Sequence, residues 1–151
     1  MLESTREAAQ LIDRSRLKPV EREMGVEFPE SYRRFLLAYN GGRPTPAYFT
    51  VVEDGKSVWM RIHFFFGVDD PIESCDLLWN YETFRGRLPH RVIAIANDEC
   101  GNLFCLDLRP EGGGKVLFWD HELEGASAKR ALKAVVAISF ADWLNQLTAR
   151  A

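Results

Sequence analysis

Val92-Ile-Ala-Ile-Ala-Asn-Asp-Glu-Cys-Gly-Asn-Leu-Phe-Cys-Leu-Asp107, followed by Arg109-Pro-Glu-Gly-Gly-Gly114 and Lys115-Val-Leu-Phe-Trp119, is the stretch that decides the fold. Three short apolar runs, 92–96, 103–108 and 115–119, read as strands because turn-forming residues bound each of them. Their connections, 97–102 and 109–114, are far too short for the dozen or more residues of a parallel crossover. The pairing they allow is antiparallel. Upstream, 48–52 and 56–66 carry β-branched and aromatic residues on either side of Glu53-Asp54-Gly55 and read as a hairpin.

Helical spacing begins on both sides of this block. After Asp69, Asp70 and Pro71, the residues Leu77, Leu78, Tyr81 and Phe84 predict a helix over 73–84, broken by Arg85-Gly86-Arg87-Leu88-Pro89. Earlier, Pro29 opens a helix whose Tyr32, Phe35, Leu36 and Tyr39 share one face, and Asn40-Gly41-Gly42 stops it. Ser4-Thr5-Arg6-Glu7 has capping-box spacing and predicts a first helix to about Ser15; Pro19 ends that region, and 20–24 add a helical turn or two before Gly25. At the other end, Ser139 and Asp142 repeat the capping spacing ahead of Phe140, Trp143, Leu144 and Leu147. Between them, 126–138 suits a helix by its alanines and a strand by Val135-Val136-Ala137-Ile138, and the pattern does not choose. Helices that flank a block of strands, rather than alternating with them, predict one α+β domain over 1–151. Its central antiparallel sheet is flanked by helices at both chain ends and by one mid-chain helix.

Composition narrows the function classes. The 151 residues are 46% hydrophobic and 27% charged with a net charge of −3, which excludes a disordered or collagen-like chain. The uncharged apolar runs fall well short of the ~20 residues of a membrane span, and the amino terminus lacks the basic and apolar regions of a secretion signal. A cytoplasmic location without membrane attachment is expected. Cys75, Cys100 and Cys105 make no Cys-x-x-Cys pattern and are expected to be buried thiols. The only adjacent basic pairs, Arg33-Arg34 and Lys129-Arg130, give no footprint for direct nucleic-acid binding.

Four segments together carry a family resemblance. Glu23-Met-Gly-Val-Glu-Phe-Pro-Glu-Ser-Tyr-Arg-Arg-Phe-Leu-Leu-Ala-Tyr-Asn-Gly-Gly42 contains Gly-x-x-x-Pro-x-x-Tyr followed by Asn-Gly-Gly. The segment 92–107 quoted above, 115–122 (Lys-Val-Leu-Phe-Trp-Asp-His-Glu) and 139–144 (Ser-Phe-Ala-Asp-Trp-Leu) follow in order. This arrangement resembles the SUKH superfamily of cell-wall-assembly regulators and bacterial proteins, with a motif-bearing core at about 20–148. The resemblance implies an α+β domain that acts by binding, and in bacteria chiefly an immunity protein that neutralises a cognate toxin, often a basic, nucleic-acid-acting enzyme. It implies no catalytic residue and no cofactor. A regulatory scaffold or small-ligand-binding protein linked to envelope or stress functions is the alternative. The motif residues it assigns to structure are Pro29, Tyr32, Asn40, Gly41, Gly42, Asp98, Gly101, Asn102 and Trp119.

The chemically suggestive residues each have an ordinary reading beside the functional one. Asp98, Gly101 and Asn102 fit a tight turn as well as a ligand site, and the turn reading is preferred. Asp120 and His121 are neighbours in sequence and would point apart on a strand, while His63 and His90 stand alone, so neither a metal site nor acid–base catalysis is expected. Gly112-Gly113-Gly114 lacks the Gly-Lys-Ser/Thr ending of a phosphate loop. Two acidic runs are more informative: Asp69, Asp70, Glu73 and Asp76, with Trp79 beside them, and Asp120, Glu122 and Glu124. They either solvate a helix start and a loop or face the basic groove of a partner. Both readings stay open from the sequence.

Overall fold

Residues 3–4, 10–123 and 132–150 are described by a computed structural model. Along the chain run β1 (Glu3–Ser4), α1 (Arg14–Met24), α2 (Glu30–Tyr39), β2 (Pro44–Thr45), β3 (Tyr48–Glu53), β4 (Lys56–Arg61), β5 (Phe64–Phe65), α3 (Leu77–Phe84), β6 (Val92–Asn97), β7 (Leu103–Asp107), β8 (Val116–Trp119), β9 (Leu132–Ala137) and α4 (Phe140–Gln146). Short 3-10 turns lie at Glu73–Cys75 and His121–Leu123. The main sheet has the order β5-β6-β7-β8-β9 and is antiparallel throughout, as the short connections require. β3 and β4 form a separate two-stranded arm, and β1 pairs with β2.

Strand β7 is buried along its whole length and β6 along all but its last residue, because helices cover both faces of the sheet. Neighbouring residues on a strand point to opposite faces. Phe104 turns one way and meets Trp143 of α4 with ring centroids 5.2 Å apart, while Trp119 turns the other way and meets Phe84 of α3 at 5.6 Å. Phe35 of α2 joins the first layer through Phe65 and Phe140, at 4.6 and 5.3 Å. This is the α+β domain that the sequence predicts.

Three local expectations are corrected and one open choice is decided. The stretch predicted to be two helices parted at Pro19 is a single helix, α1, with Pro19 inside it. Asp13 caps it, accepting a hydrogen bond from the Ser15 amide at 3.0 Å, and the buried stripe of Leu17, Val20 and Met24 offsets the roughly 3 kcal/mol that an interior proline costs. Glu3–Ser4 is a strand and 10–13 are not helical; residues 5–9 of that predicted helix lie outside the described residues. The helix predicted over 73–84 starts properly at Leu77, because Asp76 takes an extended conformation and accepts the Trp79 amide at 2.9 Å. Of 126–138, residues 132–137 are strand β9: tertiary pairing with β8 outweighs the helix preference of alanine, and 126–131 lie outside the described residues.

The run 56–66 is not one strand but two. Ile62 donates its amide to Ala47 at 2.9 Å, whereas the next residue, His63, donates to Asn97 of the main sheet at 2.8 Å. Within one residue the backbone passes from the arm to the sheet. At the arm's tip the register Glu53↔Lys56 leaves a two-residue turn, and Asp54 and Gly55 both have positive φ (51° and 76°), the geometry that matches strand twist.

The Asn40-Gly41-Gly42 stop holds three parts of the chain together. Asn40 is fully buried with φ 46°; its amide nitrogen donates to the carbonyls of Gln10 (2.7 Å) and Val68 (2.8 Å), and its amide oxygen accepts the Val68 N–H at 2.8 Å. A Cβ on Gly41 would stand 2.8 Å from both the Gly67 nitrogen and the Phe65 carbonyl oxygen. Gly42 exchanges two hydrogen bonds with Phe65 (3.0 and 2.8 Å) and so extends the sheet edge. Pro29 precedes α2 as its cap residue, and Tyr32 is fully buried among Phe28, Phe35 and Phe140.

Candidate functional site

Most of the first acidic run is committed to the chain's own structure. Asp69 (φ 59°) receives both Nε and Nη2 of Arg16, each at 2.8 Å, and this pairing lowers its pKa below the usual carboxylate range. Asp70 is buried and accepts the Ile72 amide at 2.9 Å. Asp76 caps α3 with one oxygen and holds the Asp70 amide with the other at 3.0 Å. Glu73 and the half-exposed Trp79 remain turned to solvent. In the second run Asp120 accepts the Glu122 amide at 3.0 Å, Glu122 is exposed, and Glu124 lies outside the described residues.

Asp98, Asn102 and His121 form a linear relay rather than a catalytic cluster. The Asp98 carboxylate accepts the amides of Cys100 (2.8 Å) and Asn102 (2.9 Å) and the Asn102 side-chain nitrogen (2.8 Å). That fixes the Asn102 oxygen toward His121, whose Nδ1 lies 2.7 Å away and must carry the proton. Gly101, at φ 87°, supplies the turn. The relay thus ties the β6–β7 turn to the end of β8, where buried Trp119 sits. Among the described residues no group of three His, Cys, Asp or Glu side chains is arranged to hold a metal ion.

Other polar pairs are likewise structural. Glu21 is buried yet doubly bonded by Arg33 (2.9 and 2.8 Å) and by the Phe28 amide (3.1 Å), which binds α1 to α2. Asp107 is held by Arg109 through two contacts of 2.8 and 2.9 Å, which lowers its pKa. Gly112 packs so close to that carboxylate that a Cβ there would stand 2.2 Å from it.

The arm is where apolar surface is left open, and the sequence reading missed it. Its inward face runs from buried Phe49 through the facing pair Val51 and Val58 to Glu53 and Lys56, so burial fades toward the tip. Between this face and the sheet lies a cleft of about 440 Å³ lined by Val51, Val58, Met60, Phe118 and Ala134, with Glu53 and Asp54 at its rim. On the outward face Trp59, 43% exposed, stands edge-on to Tyr48 at 6.3 Å and beneath the Arg150 guanidinium at 5.6 Å. Arg61 lies over Tyr48 and pairs with Glu99 at 2.6 Å. Val52 is 77% exposed. Alternation of apolar residues on both faces of 48–52 and 56–60 was the available signal: a hairpin with only one face packed has no need of it.

Fold and surface together define a mixed α+β domain in which Asp69, Asp76, Asp98 and Asp107 are engaged within the chain and the β3–β4 arm exposes apolar side chains. The chain belongs to the SMI1/KNR4 family (SUKH-1), whose model matches residues 11–146. It is also similar, at 31% identity over 71% of its length, to the SPbeta prophage-derived uncharacterized protein YokK of Bacillus subtilis (strain 168). The match covers 61% of that relative's length. No helix among the described residues is long and apolar enough to cross a membrane.

Proposed function

We propose that this chain is a non-catalytic protein-binding domain that receives its partner on the β3–β4 arm and the adjoining cleft, and that the partner is a protein toxin which it neutralises. The single observation that carries the binding reading is the arm itself. Every residue of β4 but Met60 is exposed, and Val58 and Trp59 lie among them, beside exposed Val52. Apolar side chains exposed on both faces of the arm gain by desolvation only when something covers them, and aromatic residues are the commonest energetic anchors in such contacts. The immunity role is the one that the family implies, and similarity to a protein described as prophage-derived accords with a gene carried on a mobile element.

Glu53 and Asp54 at the rim, together with Glu73 and Glu122 elsewhere, suit a basic partner such as a nucleic-acid-acting enzyme, since carboxylates around an apolar anchor raise the association rate with a cationic groove. Asp69, Asp70 and Asp76 contribute less, because their carboxylates already serve Arg16 and backbone amides. The test is co-expression with a toxin encoded beside the gene, read by cell survival and by co-elution in gel filtration. Survival and a stable complex are expected for the wild type, with both lost in a Val58→Asp/Trp59→Ala variant that still folds. Protection that persists in that variant would move the interface elsewhere. Failure to form a complex with any adjacent toxin would end the immunity reading.

A further inference from the structure

A second concave site lies on the α3 side of the sheet, far along the chain from the arm, and it has the opposite charge. The cleft, about 330 Å³, is bounded by Met24 at the end of α1, by Tyr81 and Phe84 of α3, and by Arg85, His90 and Arg91 of the loop that leads into β6. None of the residues lining it is acidic. From 83 to 97 the chain carries three arginines and a histidine and no carboxylate, although the protein as a whole is acidic. Because these basic residues are mostly separated along the sequence, a search for adjacent pairs misses them. The fold gathers them.

The loop is built to hold its shape. Phe84 accepts the amides of both Arg87 (2.9 Å) and Leu88 (3.0 Å), Leu88 is buried, and the Val92 amide returns to Pro89 at 3.0 Å. Arg91 sits at φ 67°, an uncommon conformation for a residue with a side chain, and its Nε is anchored on the Leu108 carbonyl at 3.2 Å. Its two Nη groups have no carboxylate partner among the described residues. Arg85 lies over the Tyr81 ring at 5.9 Å and touches a carboxylate only at 3.7 Å, from Glu82. Arg87 is directed instead over Phe84 and Trp119, at 4.6 and 5.9 Å. Arg85, His90 and Arg91 therefore line one cleft together with the apolar Met24, Phe84 and Leu88.

We propose that this cleft binds a small organic phosphate of mononucleotide size, with its phosphoryl oxygens on Arg85, His90 and Arg91 and its organic body against Met24 and Tyr81. Planar guanidinium forks suit phosphate oxygens better than isolated ammonium groups do, and the volume is at the lower end of the range for small-molecule sites. A pre-shaped loop limits the ordering cost of binding. The proposal is independent of the immunity reading, since it concerns another face.

The experiment is a titration of the full chain, followed by amide NMR shifts, with AMP, CMP, GMP and UMP in turn, and with orthophosphate, adenosine and benzoate as controls. Saturable shifts confined to the cleft are expected for at least one mononucleotide, with about tenfold weaker binding in an Arg85→Gln/Arg91→Gln variant, in line with the strength of charge-assisted contacts. Arg34→Gln, far from the cleft, serves as the charge control and leaves affinity unchanged. Absence of saturation with all four nucleotides, equal affinity in the double variant, or benzoate or orthophosphate binding as tightly as the nucleotide would each overturn the assignment. Thermal unfolding of each variant keeps a loss of binding distinct from a loss of fold.

Discussion

The Asn40 junction and the β3–β4 arm treat their side chains in opposite ways. At the junction every polar atom of a buried amide is matched to a backbone group from a distant segment, and glycine is required where two backbones meet. On the arm, apolar side chains reach solvent while the backbone closes its bonds within the hairpin and, at its base, with Thr148. Several of the acidic residues singled out in the sequence therefore serve the fold. Asp69, Asp76, Asp98 and Asp107 all act as internal fasteners, whereas Val52, Val58 and Trp59 are apolar side chains that the arm leaves exposed.

The sharpest way to break this comparison is at the junction. Asn40→Ala removes three hydrogen bonds and leaves the Gln10 and Val68 backbone groups unmatched, so a loss of about 3 kcal/mol or more is expected in urea unfolding. A loss below about 1 kcal/mol would show that the junction is dispensable. Arg33→Met follows closely, at about 3 kcal/mol, because Glu21 would keep its burial and lose its cation. On the arm the same assay should register little: Trp59→Ala costs under about 1 kcal/mol of stability while weakening a partner complex by about 2 kcal/mol. Calorimetric titration against the partner, beside unfolding of the free chain, separates those two numbers.

The smallest effect concerns pH. Asp69 has a folded pKa below its unfolded value because of Arg16, so its contribution is complete above the unfolded value, near pH 4, and fades as pH falls through the folded one. Both groups are substantially exposed, and the pair is worth about 0.5 kcal/mol. Asp69→Asn should lose that increment at neutral pH and converge with the wild type in acid. Thiol labelling gives a companion check: Cys100 is exposed, whereas burial pushes the Cys105 thiol up, so native labelling with iodoacetamide should modify Cys100 and spare Cys105.

Strands β6, β7 and β8 and the helices α2 and α4 were legible because each signal was local. Turn residues bounded 92–119, and Ser139 with Asp142 marked the start of a helix; the structure has that Ser139 hydroxyl accepting the Asp142 amide at 3.0 Å. Where the sequence misled, a distant partner decided the outcome. Pro19 stays in a helix because Leu17, Val20 and Met24 are packed, and 132–137, which the sequence left open between helix and strand, is a strand because β8 has an edge to fill. The candidate surfaces were harder to read. Whether Asp69 is free or paired depends on Arg16, 53 residues away, and the basic rim of the α3 cleft is assembled from residues that are mostly not adjacent.

The handover at Ile62 and His63 has a wider consequence. Since the backbone changes sheets within a single peptide unit, the outer half of the arm shares no ladder hydrogen bond with β5 or β6. The arm is therefore a place where side chains can be exchanged with the least disturbance to the sheet that carries it.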